Sequence, residues 1–364
     1  MDISNIIRLF QTGGTISHFA SYGTGHINDT YKVETRNGGT LSYLLQRVNH
    51  SVFKNVPELM ENVQRVTTHI RKKLSEIPGS DPDKETLTLI ETHEGKPYCQ
   101  DDKGNYYRMY LFISDHHTYD IVQTQQQAYE AGRMFGRFQD FMSDLPGKPL
   151  HETIKNFHNI EFRLDSLFES LKADPRGRAV NTKSEIEFTQ RRMDEMKILL
   201  ELSRKGEIPT RTTHNDTKIN NVLLDKNDNG LCVIDLDTVM PGLAHYDFGD
   251  AIRTSTNTGA EDEANLDNVE MNIAFYEAYT RGFLKEMKSL TETEIKYLPL
   301  AAKLFPYMQG VRFLTDYLDG DIYYKTKHKE HNLQRTRAQY KLLGSMERQY
   351  ENMVEIVSRI SAGN

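Results

Sequence analysis

The sequence predicts an α+β fold in two lobes, a small N-terminal antiparallel sheet lobe with one main helix and a larger, mostly helical C-terminal lobe. Two pairs of β-patterned runs fall within the first 114 residues, one long helical stretch separates the pairs, and helical stripes dominate from Ala128 onward. These observations put the boundary after Ser114, giving domains 1–114 and 115–364, each long enough to bury its own core.

The chain opens with MDISNIIRLFQ, where Ile3, Ile6, Ile7 and Phe10 stand at helical spacing; this is an amphipathic helix rather than a signal peptide. YKVET and TLSYLLQRVN flank RNGG, an Asn-Gly hairpin signal. Leu59, Val63, Val66 and Ile70 give residues 57–74 a helical stripe, and TLTLIETHEG with NYYRMYLFIS then brackets a turn at Lys103, Gly104 and Asn105. In the second lobe Ala128, Ala131, Phe135, Phe138 and Phe141 form one core stripe and Phe275, Tyr279 and Phe283 another. Residues 172–185, KADPRGRAVNTKSE, are the nearest to a flexible connector. Thr291 with Glu294 is a capping box that opens a further helix.

Hydrophobic residues make up 37% and charged residues 27%, a balance that fits a folded globular protein. The net charge of −7 offers no overall basic footprint for nucleic acid, and no run approaches the roughly 20 apolar residues of a membrane span. Cys99 and Cys232 stand far apart in unlike contexts and read as reduced thiols of a cytoplasmic protein.

Residues 213–221, THNDTKINN, crowd an acid, a lysine and three side-chain amides into one loop, ahead of two short apolar strands joined by a turn that ends at Gly230. Such a loop is either turn material or catalytic. Phosphoryl transfer requires a carboxylate to accept or orient the nucleophile's proton and hard oxygen ligands for Mg²⁺ on the nucleotide phosphates. Asp216, Asn221 five residues later, and Asp235 after the strand LCVI supply that set, with Lys218 as a cation for the transferring phosphate. Asp247, Phe248 and Gly249 spell the kinase metal motif DFG, yet Asp247 lies 31 residues after Asp216 and Asp235 only 19. Magnesium tolerates little misplacement of its ligands, so it is assigned to Asp235 and Asn221, with Asp237 as an optional second carboxylate. Asp247 and Asp250 then brace the loop through backbone hydrogen bonds, or form an ordinary helix N-terminal pair.

HNDTKINN, IDLDTVMPG and YDFGD in that order resemble the aminoglycoside phosphotransferase and choline kinase superfamily, whose fold is protein-kinase-like. YGTGHINDTY, LLQRVN, RFLTDYLDGDIYY and HNLQRTR extend the likeness over nearly the whole chain to the N-acetylhexosamine 1-kinases. The resemblance implies ATP and Mg²⁺ as cofactors and a small-molecule sugar, GlcNAc or GalNAc, as the substrate phosphorylated on its anomeric C1 hydroxyl. Gly23 and Gly25 then belong to the phosphate-covering loop, or to a simple turn, and His26 and Asn28 beside them are contacts to phosphate or sugar. Leu111, Phe112 and Ile113 end the last strand of the nucleotide lobe, where backbone groups meet adenine. Arg312 and Tyr323 are implied sugar contacts, although Arg312 and Asp316 also stand at the i, i+4 spacing of a salt bridge. One departure is plain: Gln46 stands where the third strand of a kinase lobe carries a phosphate-binding lysine, and Arg47 beside it points to the other face. Lys218 or the glycine-loop amides would replace that cation. Two alternatives remain open, a kinase for another hydroxyl compound such as an aminoglycoside or choline, and an ATP-binding regulatory module without turnover.

Overall fold

The structure is a computed structural model that describes residues 2–23, 27–36 and 41–363. The chain forms two compact units: residues 1–117, 144–155 and 223–241 make the first, and residues 118–143, 156–222 and 242–364 the second. The first unit therefore runs three residues past Ser114 and takes in two later segments. Asn62 explains part of this. Its buried side chain donates to the His151 and Val239 carbonyls at 2.8 and 3.1 Å and accepts from the His151 amide. His117 and Leu224 add a backbone pair at 2.7 and 3.0 Å.

In the first unit β1 (Thr15–Ser21), β2 (Asp29–Arg36), β3 (Ser42–Val48), β4 (Leu89–Ile90), β5 (Cys99–Gln100) and β6 (Tyr106–Leu111) form one antiparallel sheet. The order is β1-β2-β3-β6-β4, with β5 also on β6. β2 and β3 pair as expected, although the Asn-Gly dipeptide between them lies outside the described residues. β1 was not foreseen: only Ile16 and Phe19 are half-buried on this edge strand, so its alternation is faint in the sequence. TLTLIETHEG yields only two strand residues, since the Thr92 amide turns back onto the Lys96 carbonyl at 2.8 Å.

The N-terminal helix is shorter than expected, Ile3–Ile7; its Ile6 and Ile7, with Phe10 beyond its end in a bridge to Thr92, pack with Val33, Tyr43, Leu45, Tyr107 and Met109 in one core cluster. The helix Val56–Ser75 begins at Asn55, whose side chain caps the Glu58 amide, and it buries Leu59, Met60, Val63 and Val66. Cys99 and Cys232 are both free, and burial pushes the Cys99 thiol up to about 11, as expected of inert thiols.

The second unit is built on helices. Gln125–Met142 and Ile273–Glu286 approach so closely that a Cβ at Gly132 or Gly282 would stand 2.1 Å from the Tyr279 or Tyr129 carbonyl oxygen. The stripe of the second helix is Tyr276, Tyr279 and Phe283; Phe275 is only half-buried, one position out of phase with that face. The expected connector is largely ordered as the short turn Ala179–Asn181 and the start of the helix Lys183–Gln190. Thr291 and Glu294 form the capping box, both of whose reciprocal bonds are present. No described helix is long and apolar enough to cross a membrane.

Candidate active site

Candidate residues fall in both units. In the helical unit the loop Thr213–Asn221 is fixed by two buried carboxylates, Asp247 and Asp250. Asp247 Oδ2 accepts from the His214 amide at 2.9 Å and from Gln139 Nε2 at 2.6 Å, and Oδ1 accepts from the Asn215 amide at 2.7 Å. The Asp247 carbonyl takes the Thr217 hydroxyl at 2.6 Å, and Asp250 Oδ2 takes the Thr217 amide at 3.1 Å. Asp250 is itself held by both Nε and an Nη of Arg253. Asp247 has no exposed surface, and burial pushes its carboxyl above the ordinary range despite the pull of His214 and these donors. The DFG aspartate is thus a bracket for the loop Thr213–Asn221. Gly249 of the same motif serves packing: a Cβ there would meet the Ala301 carbonyl at 2.4 Å, so the helix Ala244–Ser255 seats directly on Leu298–Asp319.

The bracket presents Asp216. Asn215 takes a left-handed φ of 65°, a conformation that asparagine tolerates, and its carbonyl lies 3.0 Å from His158 Nε2. The Asp216 amide donates to His214 Nδ1 at 3.3 Å, while rings of Phe135 and Phe138 hold that imidazole edge-on. Asp216 Oδ1 meets Lys218 Nζ at 2.9 Å, and Asn221 Nδ2 donates to Asp216 Oδ2 at 3.1 Å and to its carbonyl at 2.8 Å. Burial would raise the Asp216 carboxyl, but the Lys218 ammonium, with help from His214 and Asn221, outweighs it and holds the group below the ordinary carboxylate range. Asp216 in turn pushes the Lys218 ammonium up against the effect of burial. The result is an ionised carboxylate at neutral pH, able to accept a proton and to align a hydroxyl.

Asp316 removes the expected partner of Arg312. Its carboxylate accepts from the Ile322, Tyr323 and Tyr324 amides at 2.9, 2.7 and 3.0 Å and from Asn332 Nδ2 at 2.8 Å. The salt-bridge reading of Arg312 is therefore corrected: the loop past the helix end uses up the Asp316 oxygens. Arg312 instead donates to Gln309 at 3.1 Å and lies over the rings of Phe157 and Tyr324. Arg163 is held on the Phe157 carbonyl, and burial together with the like charge of Arg312 pulls its guanidinium down to about 10. Among the described residues neither guanidinium meets a carboxylate within ion-pair distance. His158, between this pair and the catalytic loop, is held neutral by burial and by both arginines, its pKa pulled down to about 4 despite Asp250. Tyr323 is 65% exposed, with its ring against Tyr324.

In the sheet unit Asp235 is exposed and left-handed, at φ 60° and ψ 61°, ahead of the turn Leu236–Thr238. Left-handed non-glycine residues collect at functional positions because the surrounding structure must hold them there. Asp237 is buried and paired with Arg108, while Asn28 Nδ2 donates to its other oxygen at 2.7 Å. Asp237 is thus engaged by an arginine, and the Asn28 amide has a partner at each end, since its oxygen accepts from the Asn49 amide. Gln46 likewise binds Arg108, through Oε1 at 3.0 and 2.9 Å, and donates to Thr30.

At the end of β6 the Leu111 and Phe112 amides bond to the Thr88 and Ser42 carbonyls, and His116 takes the Ile113 carbonyl. Among the described residues that leaves the Phe112 carbonyl and the Ile113 amide for a ligand. Gly23 has the positive φ of 77° expected of a loop glycine, with open space at its Cβ position. Gly25 and His26 lie outside the described residues.

Over residues 18–292 the chain matches the phosphotransferase enzyme family. It belongs to that family. The phosphotransferase shares its fold with the microcompartment-associated aminopropanol kinase, at 14% identity and a TM-score of 0.64 over 97% of this chain and 99% of the other. It is also similar to an aminoglycoside phosphotransferase from Alicyclobacillus acidocaldarius, at 13% identity and 0.62 over 97% of each chain. A choline kinase from Cryptosporidium parvum matches at 14% identity and 0.54, over 95% of this chain and 93% of the other. The α+β, protein-kinase-like fold expected from the sequence is the one observed.

Three residues of interest escaped the sequence. Arg108 could have been found as a lone charge amid the apolar strand run NYYRMYLFIS. Arg163 and His158 sit in an unremarkable helix start, and only packing brings them to Arg312.

Proposed function

We propose that this phosphotransferase is an ATP- and Mg²⁺-dependent kinase that phosphorylates the anomeric hydroxyl of an N-acetylhexosamine, releasing ADP and the sugar 1-phosphate. Asp216 orients the C1 hydroxyl and takes its proton as the oxygen attacks the γ-phosphorus; the bond to the β-phosphate oxygen breaks, and Lys218 offsets the charge carried by the transferring group. The Phe112 carbonyl and Ile113 amide meet adenine, and Gly23, at its positive φ, belongs to the phosphate-covering loop. Asp235 and Asn221 are the magnesium ligands: the Asp235 carboxylate is exposed, and Asn221 spends its amide nitrogen on Asp216, which turns its oxygen away as a hard donor. The bound metal would neutralise phosphate charge.

The observation that carries the substrate class is the pair Arg163 and Arg312, two neighbouring guanidiniums in the unit of Asp216 with no carboxylate partner among the described residues. Aminopropanol, choline and aminoglycosides are cations at neutral pH, and two uncompensated arginines repel a cation. A neutral sugar with an acetamido carbonyl suits them, since guanidinium hydrogens donate to carbonyl and hydroxyl oxygens, with Tyr323 as a further hydroxyl partner. The test is a panel of N-acetylhexosamines, free amino sugars, choline and aminoglycosides, scored by ADP release and by phosphorus NMR of the product. Phosphorylation of N-acetylglucosamine or N-acetylgalactosamine at C1 is expected. Turnover of a cationic acceptor alone sinks the reading, and nucleotide binding without ADP from any acceptor returns the regulatory module.

A further inference from the structure

We propose that Arg108 is a positioning residue for Asp235, replacing in another strand the cation that Gln46 omits from β3, and acting on the metal-binding carboxylate through Asp237 rather than on phosphate. The inference rests on the reading of Asp235 as a magnesium ligand. Arg108 and Gln46 are register partners on adjacent strands, so the two side chains rise side by side from the same face of the sheet. Gln46 Oε1 accepts from both Nε and Nη2 of Arg108, which fixes the plane of the guanidinium. The remaining Nη1 is delivered to Asp237 Oδ1, and both side chains are almost wholly buried, at 2% and 3% exposure.

Asp237 sits two residues after Asp235, inside the turn Leu236–Thr238. That segment is held at Asp237 and at Val239. Arg108 and Asn28 take the two Asp237 carboxylate oxygens, the Thr153 hydroxyl donates to the Asp237 carbonyl at 3.0 Å, and Asn62 donates to the Val239 carbonyl. A residue in the left-handed region costs of order 1–3 kcal/mol and persists only where its surroundings over-determine it. Arg108 is the one charged member of this clamp. A guanidinium with 1% residue exposure cannot touch a nucleotide phosphate, so its effect passes through Asp237 and through its charge on the nearby Asp235 carboxylate. An ordinary buried ion pair would equally hold β6 to the turn, but it would have no reason to influence magnesium. That difference is what can be measured.

The variants are Asp237→Asn, which keeps the side-chain shape, Arg108→Met and Arg108→Lys. Calorimetric binding of a non-hydrolysable ATP analogue is recorded with and without Mg²⁺, together with thermal melting and the Michaelis constant for the acceptor. Asp237→Asn is expected to raise the free Mg²⁺ needed for half-maximal analogue binding by about ten-fold or more, the size of effect seen when a metal ligand loses its outer partner. Metal-free analogue binding and the acceptor Michaelis constant should stay within about two-fold, and Arg108→Lys should recover much of the loss seen in Arg108→Met. If Arg108→Met fails to fold, Asp237→Asn decides. Variants that only lower the melting temperature, with magnesium dependence unchanged, overturn the proposal. Asp235→Ala is the control: if it leaves Mg²⁺-dependent binding intact, the parent reading fails first and takes this inference with it.

Discussion

Replacing Asp247 by alanine removes one carboxylate that three buried donors share, the His214 amide, the Asn215 amide and Gln139 Nε2. Each donor left without a partner in the interior costs about 1–3 kcal/mol, and water entering the small cavity recovers part of it, so the loss is about 3–6 kcal/mol. That is a large share of the roughly 5–15 kcal/mol that holds a domain folded. Asp247→Asn places an amide hydrogen against one of the two backbone donors and should cost about 1–3 kcal/mol. The assay is urea unfolding followed by far-UV circular dichroism, since the chain has no tryptophan to report. It is run beside the magnesium dependence of nucleotide binding in the fraction that stays folded. The reasoning expects stability to fall while that dependence is unchanged, because the Asp247 side chain is sealed from any ligand. An Asp247 variant of normal stability with a shifted magnesium requirement would show that the DFG aspartate, not Asp235, is the metal carboxylate.

Asp216→Asn should lower kcat by about two orders of magnitude or more with little change in nucleotide affinity; single-turnover phosphate transfer checks this, and retained turnover moves the base elsewhere. Arg312→Ala and Tyr323→Phe should each lower kcat/KM for N-acetylhexosamine by about five- to a hundred-fold with the ATP Michaelis constant nearly unchanged, and Arg163→Ala should weaken discrimination against cationic acceptors; unaltered kinetics in all three place the sugar elsewhere. Stability should decline in mild acid through His158 and His245, both buried with pKa values pulled down to about 4. The unfolded chain binds a proton near pH 6.5 and the folded one only near 4, so the loss begins below about 6.5 and levels off below 4. It amounts to roughly 2 kcal/mol for each histidine at pH 5. Chemical melts between pH 7.5 and 5 test it, and a His245→Gln variant with the parent's full acid sensitivity contradicts it.

The catalytic loop was legible because its chemistry is local. Asp216, Lys218 and Asn221 lie within six positions, and short covalent spacing with loop-forming residues leaves few ways to arrange them. The bracing of that loop by Asp247 is met by its bonds to the His214 and Asn215 amides, while the assignment of the metal to Asp235 rests on the length of the hairpin before it. Elsewhere local pattern misled. Arg312 and Asp316 are at salt-bridge spacing on one helix, yet three amides beyond the helix end compete for the same carboxylate and hold it.

By itself the sequence determined the helical stripes, the antiparallel pairing of β2 with β3, and the meeting of Asp216 with Lys218 and Asn221, all of which depend on interactions within a few residues or on side-chain period. Tertiary structure alone decided which charges meet: Arg108 with Asp237, Asp247 with the loop's amides, Arg163 beside Arg312. A buried ion or donor must find its partner wherever packing brings one, because leaving it unpaired away from water costs more than any local preference can supply. Those long-range matches hold the turn at Asp237, the loop that carries Asp216 and the placing of two neighbouring guanidiniums, so they hold the parts of this phosphotransferase that the linear order of residues does not express.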